Sequence, residues 1–415
     1  MRDLLPNEAR LTRWVESRAQ ATLAAFGYEE IRLPVLEATE LFSRGVGEAT
    51  DIVEKEMYTL EDRDGGSITL RPEGTAGCVR ACLEHGLIFN QPQRLWYCGP
   101  MFRHERPQKG RYRQFDQIGA EAFGIPGPDI DAELMQLGHR LFDELGVREQ
   151  VTLEINTLGS AADRVRYRDA LVAYLAPLRN ELDEDSRRRL DRNPMRILDS
   201  KHPGTRALLE GAPAIADFID NESRAHYEGL KSMLGALDIA FIENPRLVRG
   251  LDYYTHTVFE WVTDQLGAQG AVCSGGRYDG LIERLGGRAT PGAGFGIGLD
   301  RLVLLVQSVA GTTPLPGIDG YCVVMDAQFA VAGMRLADAL RAAGLTIRVH
   351  AGGGKLKSQM KRADASGARF ALILGEDEIA QGRVSVKWLR QDVPQETVAL
   401  DALAAYLARQ SPATN

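Results

Sequence analysis

RLWYCGPMFRHERPQKGRYRQFDQIGAEAFG, residues 94–124, is the stretch whose reading decides the fold. Its two ends, RLWYCGPMFR (94–103) and RQFDQIGAEAFG (113–124), are rich in aromatic and apolar residues and read as strands. What joins them is polar and basic rather than helical, which is the pattern of an antiparallel hairpin. That connection, RHERPQKGRYR (103–113), holds five Arg/Lys and one Glu in eleven residues, with Pro107 and Gly110 bending the chain. A charge run is commonly a solvated face. Basic residues at both ends of a hairpin loop can nevertheless face one polyanion, and the planar guanidinium suits phosphate oxygens. The loop therefore reads as a phosphate site. On the second strand Gln117, Gly119 and Glu121 stand at even spacing and project from one face. A half-buried polar stripe costs several kcal/mol if nothing satisfies it. A polar ligand accounts for it better than core packing, with a solvated sheet face as the alternative.

Outward from the hairpin, three further segments concentrate unusual residues. TLRPEGT (69–75) places Glu73 and Thr75 beside a Pro-Glu-Gly turn, and LVRGLDYYTHTVFE (247–260) brings Arg249, Tyr253 and Tyr254 together. Aromatic hydroxyls and an arginine make a ligand wall, although each alone also fits a structural turn or a satisfied core tyrosine. In GAGFGIGLDRLVLL (292–305) glycines alternate ahead of an apolar helix with Arg301 in its early turns. Small residues there let a ligand approach the backbone. Neither G-x-x-x-x-G-K-[ST] nor G-x-G-x-x-G occurs, which disfavours the common nucleotide folds. GGGK (352–355) is half of such a loop, but Leu356 stands where a magnesium-binding hydroxyl belongs, so the segment reads as a plain loop.

With 415 residues, 44% apolar and 26% charged, the chain can bury more than one core. Charges at Arg2, Asp3, Glu8 and Arg10 interrupt any apolar leader, and the apolar runs are far short of the ~18 residues of a membrane span. Five scattered cysteines without a C-x-x-C pair suggest reduced thiols and no zinc module, so a cytoplasmic protein without a bound structural metal is expected. A net charge of −8 argues against coating nucleic acid by bulk attraction. The charge is uneven: residues 319–415 carry 12 Lys/Arg against 10 Asp/Glu, and the remainder 37 against 47. GTTPLPGIDG (311–320) reads as a linker, assigned to 311–319. Beyond it, YCVVMD, TIRVHA, FALILG and RVSVKWL alternate with helical stretches, which predicts an α/β domain over 320–415 with a largely parallel sheet. Residues 160–229 turn to helix formers and charges and read as a helical insertion. It divides an α+β domain with an antiparallel sheet into a first part, 1–159, and a second, 230–310.

FRHERPQKGRYRQF resembles the second sequence motif of class II aminoacyl-tRNA synthetases and GFGIGLDRLVLL the third, while FGYEEIRLPVLE (26–37) is similar to the first, dimer-forming one. RGLDYYTHTVFE and GGRYDGL (275–281) resemble the signature peptides of histidyl-tRNA synthetases, and the likeness covers essentially the whole chain. It implies an ATP- and magnesium-dependent homodimer that activates histidine and transfers it to tRNA(His), without DNA or membrane partners. Arg103 would then hold the α-phosphate, Arg301 the γ-phosphate, and Arg249 would add positive charge at the α-phosphate, with Arg111 also at ATP. Glu73, Thr75, Gln117, Glu121, Tyr253 and Tyr254 would form the histidine pocket. Arg106 and Gln108 would lie near the tRNA acceptor end. The basic run KLKSQMKR (355–362) would belong to an anticodon-binding domain. Asp116 departs from the histidine common in relatives, but its strand parity points it away from the pocket. The same likeness includes a non-catalytic relative, the regulatory subunit of ATP phosphoribosyltransferase, which usually lacks an anticodon domain and the signature peptides.

Overall fold

The structure, a computed structural model, describes residues 2–47, 50–267, 270–310 and 317–410. Contacts divide the chain into two units, Met1–Thr313 and Pro314–Asn415. Of the expected linker, 311–316 lie outside the described residues.

In the first unit the strands are, in chain order, β1 Glu29–Glu30, β2 Leu36–Ala38, β3 Tyr58–Glu61, β4 Ser67–Leu70, β5 Gln93–Phe102, β6 Gln114–Phe123, β7 Thr152–Thr157, β8 Phe241–Glu243, β9 Thr255–Val262, β10 Ala271–Arg277 and β11 Gly292–Gly298. β2, β4 and β3 form a small antiparallel sheet. The other eight make one sheet in the order β1-β5-β6-β11-β10-β9-β7-β8. The six inner strands are antiparallel throughout, and only the edge pairings β1/β5 and β7/β8 are parallel. β5 and β6 are the hairpin expected from 94–124, with Gly99 opposite Gln117, Tyr97 opposite Gly119 and Leu95 opposite Glu121.

Alternation along these strands separates the sheet into two unlike faces. Ile118, Ala120 and Ala122 of β6, Phe295 and Ile297 of β11, Phe259 and Trp261 of β9, and Leu153 and Ile155 of β7 are all buried. The helices Pro128–Glu144 and Leu299–Ala310 pack on the sheet, and helix Pro6–Ala25 packs on both. Leu134, Leu137, Leu141, Leu302 and Leu305 are buried in these helices, each contributing about 1.5–3 kcal/mol. Shifting one residue along each strand gives the opposite composition. A row across the sheet reads Glu154, Glu260, Ser274, Gly296, Gly119, Tyr97 from β7 to β5. That face cannot bury a helix without orphaning its carboxylates, and it is the face that lines a cleft.

Between β7 and β8, residues 160–229 contain helices and no strand. Their starts are written in the sequence as caps: Ser160 and Asp163 form a capping box, Asp183 accepts from the Ser186 backbone, and Asp220 accepts from the Ser223 backbone. The last helix, Asn221–Ala236, runs beyond residue 229. Tyr167, Leu171, Leu175, Leu190 and Ile197 of this helical stretch share one core with Leu247, Val248, Tyr253 and Tyr254, so the insertion is packed against a wall of the cleft.

In the second unit β12 Gly320–Val324, β13 Ile347–Val349, β14 Phe370–Leu374, β15 Arg383–Trp388 and β16 Glu396–Ala399 form a sheet in the order β13-β12-β14-β15-β16. The expectation of a largely parallel sheet is corrected: β13/β12 and β12/β14 are parallel, but β14/β15 and β15/β16 are antiparallel. The connection over 375–382 holds only the short helix Glu376–Ala380. It is too brief for the crossover of about 10–12 residues that a parallel return requires. The GGGK segment is a loop, with Gly352, Gly353 and Gly354 at φ 93°, 64° and 108°, and the His350 ring holds the Gly353 carbonyl at 2.8 Å. In KLKSQMKR, Lys355 is the N-cap rather than a helical residue, and Gln359 is buried, its side chain bonded to both backbone polar groups of Val324. Lys357, Lys361 and Arg362 are exposed. Among the described residues, no helix is long and apolar enough to cross a membrane.

Candidate functional site: a cleft on the polar face of the large sheet

A cleft of about 640 Å³ opens on the polar face of the eight-stranded sheet. Besides Arg189 and Arg196 of the helical insertion, four arginines from separate parts of the sequence line it: Arg103 at the end of β5, Arg111 in the hairpin loop, Arg249 in the loop before β9, and Arg301 in the first turn of helix Leu299–Ala310. Each is fastened by its own partner. Arg103 donates through Nε to the Pro72 carbonyl at 2.8 Å and lies over the Phe115 ring. Arg301 donates to the carbonyls of Gly110 (3.1 Å) and Ala271 (2.6 Å). Arg111 pairs with Glu105, and Arg249 with Glu260. Burial lowers the pKa of Arg103, Arg111 and Arg301, and a neighbouring arginine adds to the effect at each. Arg249 differs: burial works against its charge, yet Glu260 and the hydroxyls of Tyr254 and Tyr253 hold its pKa above the usual range. Guanidiniums stay protonated, so the cleft concentrates positive charge that a polyanion would relieve.

Beside the arginines lies a second region with different chemistry. Glu121 is fully buried and accepts hydrogen bonds from the hydroxyls of Thr75 (2.7 Å), Tyr97 (2.9 Å) and Tyr278. Burial pushes its pKa up to about 8 even though all three hydroxyls oppose the shift. Tyr278 meets Tyr253 and Tyr254 edge to face, with ring centroids 5.6 and 6.3 Å apart, and Tyr253 and Tyr254 are tilted against each other at 4.7 Å. Glu73 accepts from the backbone N–H groups of Thr75 (2.7 Å) and Ala76 (2.9 Å), so it caps helix Thr75–Glu84 while lining the cleft.

Glycine makes this packing possible. Gly294 of β11 lies opposite Glu121, and a Cβ there would strike the Glu121 carboxylate and stand 2.5 Å from the Ala120 carbonyl. A Cβ on Gly296 would strike the Gln117 amide, and one on Gly119 the Tyr97 ring. Gly298 meets nothing closer than 3.8 Å. Gly294→Ala is therefore expected to destabilise the protein by about 1–3 kcal/mol, and Gly298→Ala by no more than about 0.5 kcal/mol. Urea denaturation of the two variants checks the contrast.

Residues 1–302 match the family described as histidyl-tRNA synthetase, and residues 321–410 the family described as anticodon binding domain. The chain belongs to the histidyl-tRNA synthetase family. Among solved structures, the apo histidyl-tRNA synthetase of S. aureus is 37% identical over 98% of both chains, with a TM-score of 0.80. The histidyl-tRNA synthetase of a Nostoc species is 22% identical, covering 99% of this chain and 98% of that one, with a TM-score of 0.73. A protein of Bacillus halodurans described as an ATP phosphoribosyltransferase regulatory subunit/histidyl-tRNA synthetase is 24% identical, covering 87% and 94%, with a TM-score of 0.61. The last two, below a quarter identical, bear on the fold alone. The class II architecture of the family, a large mostly antiparallel sheet with an α/β anticodon-binding domain, is thus the architecture of this chain.

Of the positions expected from the likeness to histidyl-tRNA synthetases, Glu73, Thr75, Arg103, Arg111, Gln117, Arg249, Tyr253, Tyr254 and Arg301 all line this one cleft. Glu121 does not line it: the carboxylate lies behind Thr75 and Tyr97, which do. Arg106 and Gln108 are exposed on the hairpin loop and are not in the lining. Asp116 is likewise absent from the lining, and its backbone N–H donates to Asp300. Sequence reasoning missed Tyr97, Glu260, Arg189 and Arg196 of the lining, and Tyr278 behind it. The signal for Tyr278 lay in SGGRYDGL (274–281), where Ser274, Gly276 and Tyr278 alternate. For Tyr97 it lay in the parity of β5 against the glycine of β6. Glu260 carried none, because its partner Arg249 comes from a loop.

Proposed function

We propose that this chain is a histidine–tRNA ligase, which activates histidine with ATP to histidyl-adenylate and pyrophosphate and then transfers histidine to the 3′ end of tRNA(His). The observation that carries this reading is the placement of four anchored arginines in the cleft beside Thr75 and Tyr97, whose hydroxyls, with that of Tyr278, ring a buried carboxylate behind the cleft wall. The arginines suit a triphosphate, with Arg103 and Arg249 at the α-phosphate, Arg301 at the γ-phosphate and Arg111 beside them. Glu73, Thr75, Gln117, Glu121, Tyr253 and Tyr254 would receive the amino acid. The histidine carboxylate attacks the α-phosphorus in line, pyrophosphate leaves, and the terminal ribose hydroxyl of the tRNA then takes the acyl group. No protein nucleophile is needed, since positioning and charge stabilisation lower the barrier.

Magnesium would supply further counter-charge to the phosphates. Among the described residues no group of three or more His, Cys, Asp or Glu side chains is gathered to hold a metal, which fits an ion carried mainly by phosphate oxygens and water. Arg106 and Gln108, exposed on the hairpin loop, would meet the acceptor end, and the 320–415 domain would meet the anticodon. A cytoplasmic homodimer follows from the family likeness, as does a catalytic domain over 1–159 and 230–310, a helical insertion over 160–229 and a linker over 311–319. The regulatory relative is disfavoured by the anticodon-domain match and by the complete set of arginines.

Pyrophosphate exchange with each amino acid in turn, followed by charging of total tRNA, tests the reading. Exchange with histidine alone, and charging, are the expected results. Histidine binding without either would overturn the ligase reading in favour of a sensor, and exchange without charging would place the disagreement in tRNA recognition.

A further inference from the structure

Glu260 occupies a costly position. It stands on the cleft face of β9, directly across from Glu154 on β7 and Ser274 on β10. Like charges facing each other across a sheet are destabilising, and burial together with the carboxylates of Asp199 and Glu154 raises the Glu260 pKa. Asn244 donates to Glu154 at 2.7 Å and accounts for that neighbour. For Glu260 the partners are the Ser274 hydroxyl at 3.3 Å and the Arg249 guanidinium, bound closely through Nη1. A threonine or glutamine would satisfy the sheet without a buried charge, so the carboxylate is explained by what it does to Arg249.

Arg249 issues from a segment without regular structure, between β8 and β9. Two contacts fix its guanidinium: Glu260 at Nη1, and the Tyr254 ring beneath, 5.5 Å from Cζ. Its Nε–H is buried and, among the described residues, has no partner. We propose that Glu260 is a positioning residue for the adenylate-forming step: it holds one edge of the Arg249 guanidinium against the sheet so that the remaining donors meet the α-phosphate of ATP. The clamp also offsets Arg249's charge, which acts electrostatically against that of Arg103. This inference rests on the ligase reading above, and Glu260 itself does not touch the reacting atoms.

The test compares histidine-dependent pyrophosphate exchange in wild type, Glu260→Ala, Glu260→Gln, Arg249→Ala and the double Arg249→Ala/Glu260→Ala variant, with thermal unfolding of each. A misplaced catalytic group costs about 100-fold in rate. Glu260→Ala is therefore expected to lower kcat by about that factor while the KM for ATP moves by less than roughly threefold, the split that marks an interaction made in the transition state. Glu260→Gln, which keeps an acceptor oxygen but not the charge, recovers only part of the rate. In the Arg249→Ala background the second substitution removes nothing more, because Glu260 acts only through Arg249. Should Glu260→Ala fail to fold, Glu260→Asp, with the carboxylate withdrawn by one methylene, takes its place and shows the same split. A wild-type kcat in the Glu260 variants, a loss confined to KM, or losses that multiply in the double variant would each overturn the clamp and leave the ligase reading standing. A wild type without exchange would remove the ligase reading and the clamp together.

Discussion

Arg249→Ala is expected to lower the rate of histidine-dependent pyrophosphate exchange by about 10²–10³-fold, the loss typical of removing one donor aimed at developing charge. The loop position of Arg249 and its seat over Tyr254 make it hard to replace by a neighbour: Arg103 and Arg301 are tied to backbone carbonyls of Pro72, Gly110 and Ala271. The substitution also strands Glu260, a partly buried carboxylate at the cleft wall, and destabilises the fold by less than the roughly 3–5 kcal/mol lost when a fully buried pair is broken from one side. Activity lost through unfolding must therefore be separated from activity lost through chemistry. Arg249→Met combined with Glu260→Gln removes both charges, and is expected to unfold near the wild-type temperature while remaining as inactive as Arg249→Ala. Wild-type exchange in that stable double variant would show that Arg249 has no part in the reaction.

Glu121→Gln carries the second large effect. A carboxylate can accept from Thr75, Tyr97 and Tyr278 at once, whereas an amide turns one acceptor into a donor facing hydroxyls. Above pH 8, where Glu121 is ionised, losing a hydrogen bond to a charged group costs about 1.5–3 kcal/mol, so the KM for histidine there is expected to rise by about 10- to 150-fold. ATP binding at the arginines should change little. The same substitution alters stability in a pH-dependent way. The Glu121 pKa is raised in the folded protein to about 8 from 4.5, so the folded state holds a proton that the unfolded chain has released. Its contribution to stability is fully present below pH 4.5 and is lost as pH rises towards 8. Wild type should thus lose stability through that window, and Glu121→Gln should show a flatter profile. Melting temperatures from pH 5 to pH 9 check the sign: parallel curves would mean that Glu121 is ionised throughout.

The hairpin of 94–124 was legible because its information is local. Strand propensity at both ends and a polar, basic connection between them specify antiparallel pairing of neighbours in sequence. The parity that groups Gln117 with Glu121 and excludes Asp116 is equally local, since alternate residues of a strand share a face whatever they pair with. The helical character of 160–229 was likewise legible from its local composition. In the second unit the same kind of reading located β12 to β15, yet left strand direction wrong for half of the pairings, because direction depends on whether a connection has length enough to cross over.

What the sequence by itself determined, then, is the hairpin, the face of its second strand, the helical stretch of 160–229, most elements of the second unit and the signature residues from which the family was recognised. Tertiary structure alone decided which strands became neighbours. β11 had to settle beside β6 before the alternating glycines of 292–298 could be understood as space for the Glu121 and Gln117 side chains. β9 had to lie between β7 and β10 before Glu260 became a buried charge with Arg249 as its partner. It also placed Glu121 behind Thr75 and Tyr97 rather than on the wall of the cleft. The division has one physical cause: alternation and capping act over a few residues, whereas register, burial and the pairing of charges depend on groups that only folding brings within contact distance.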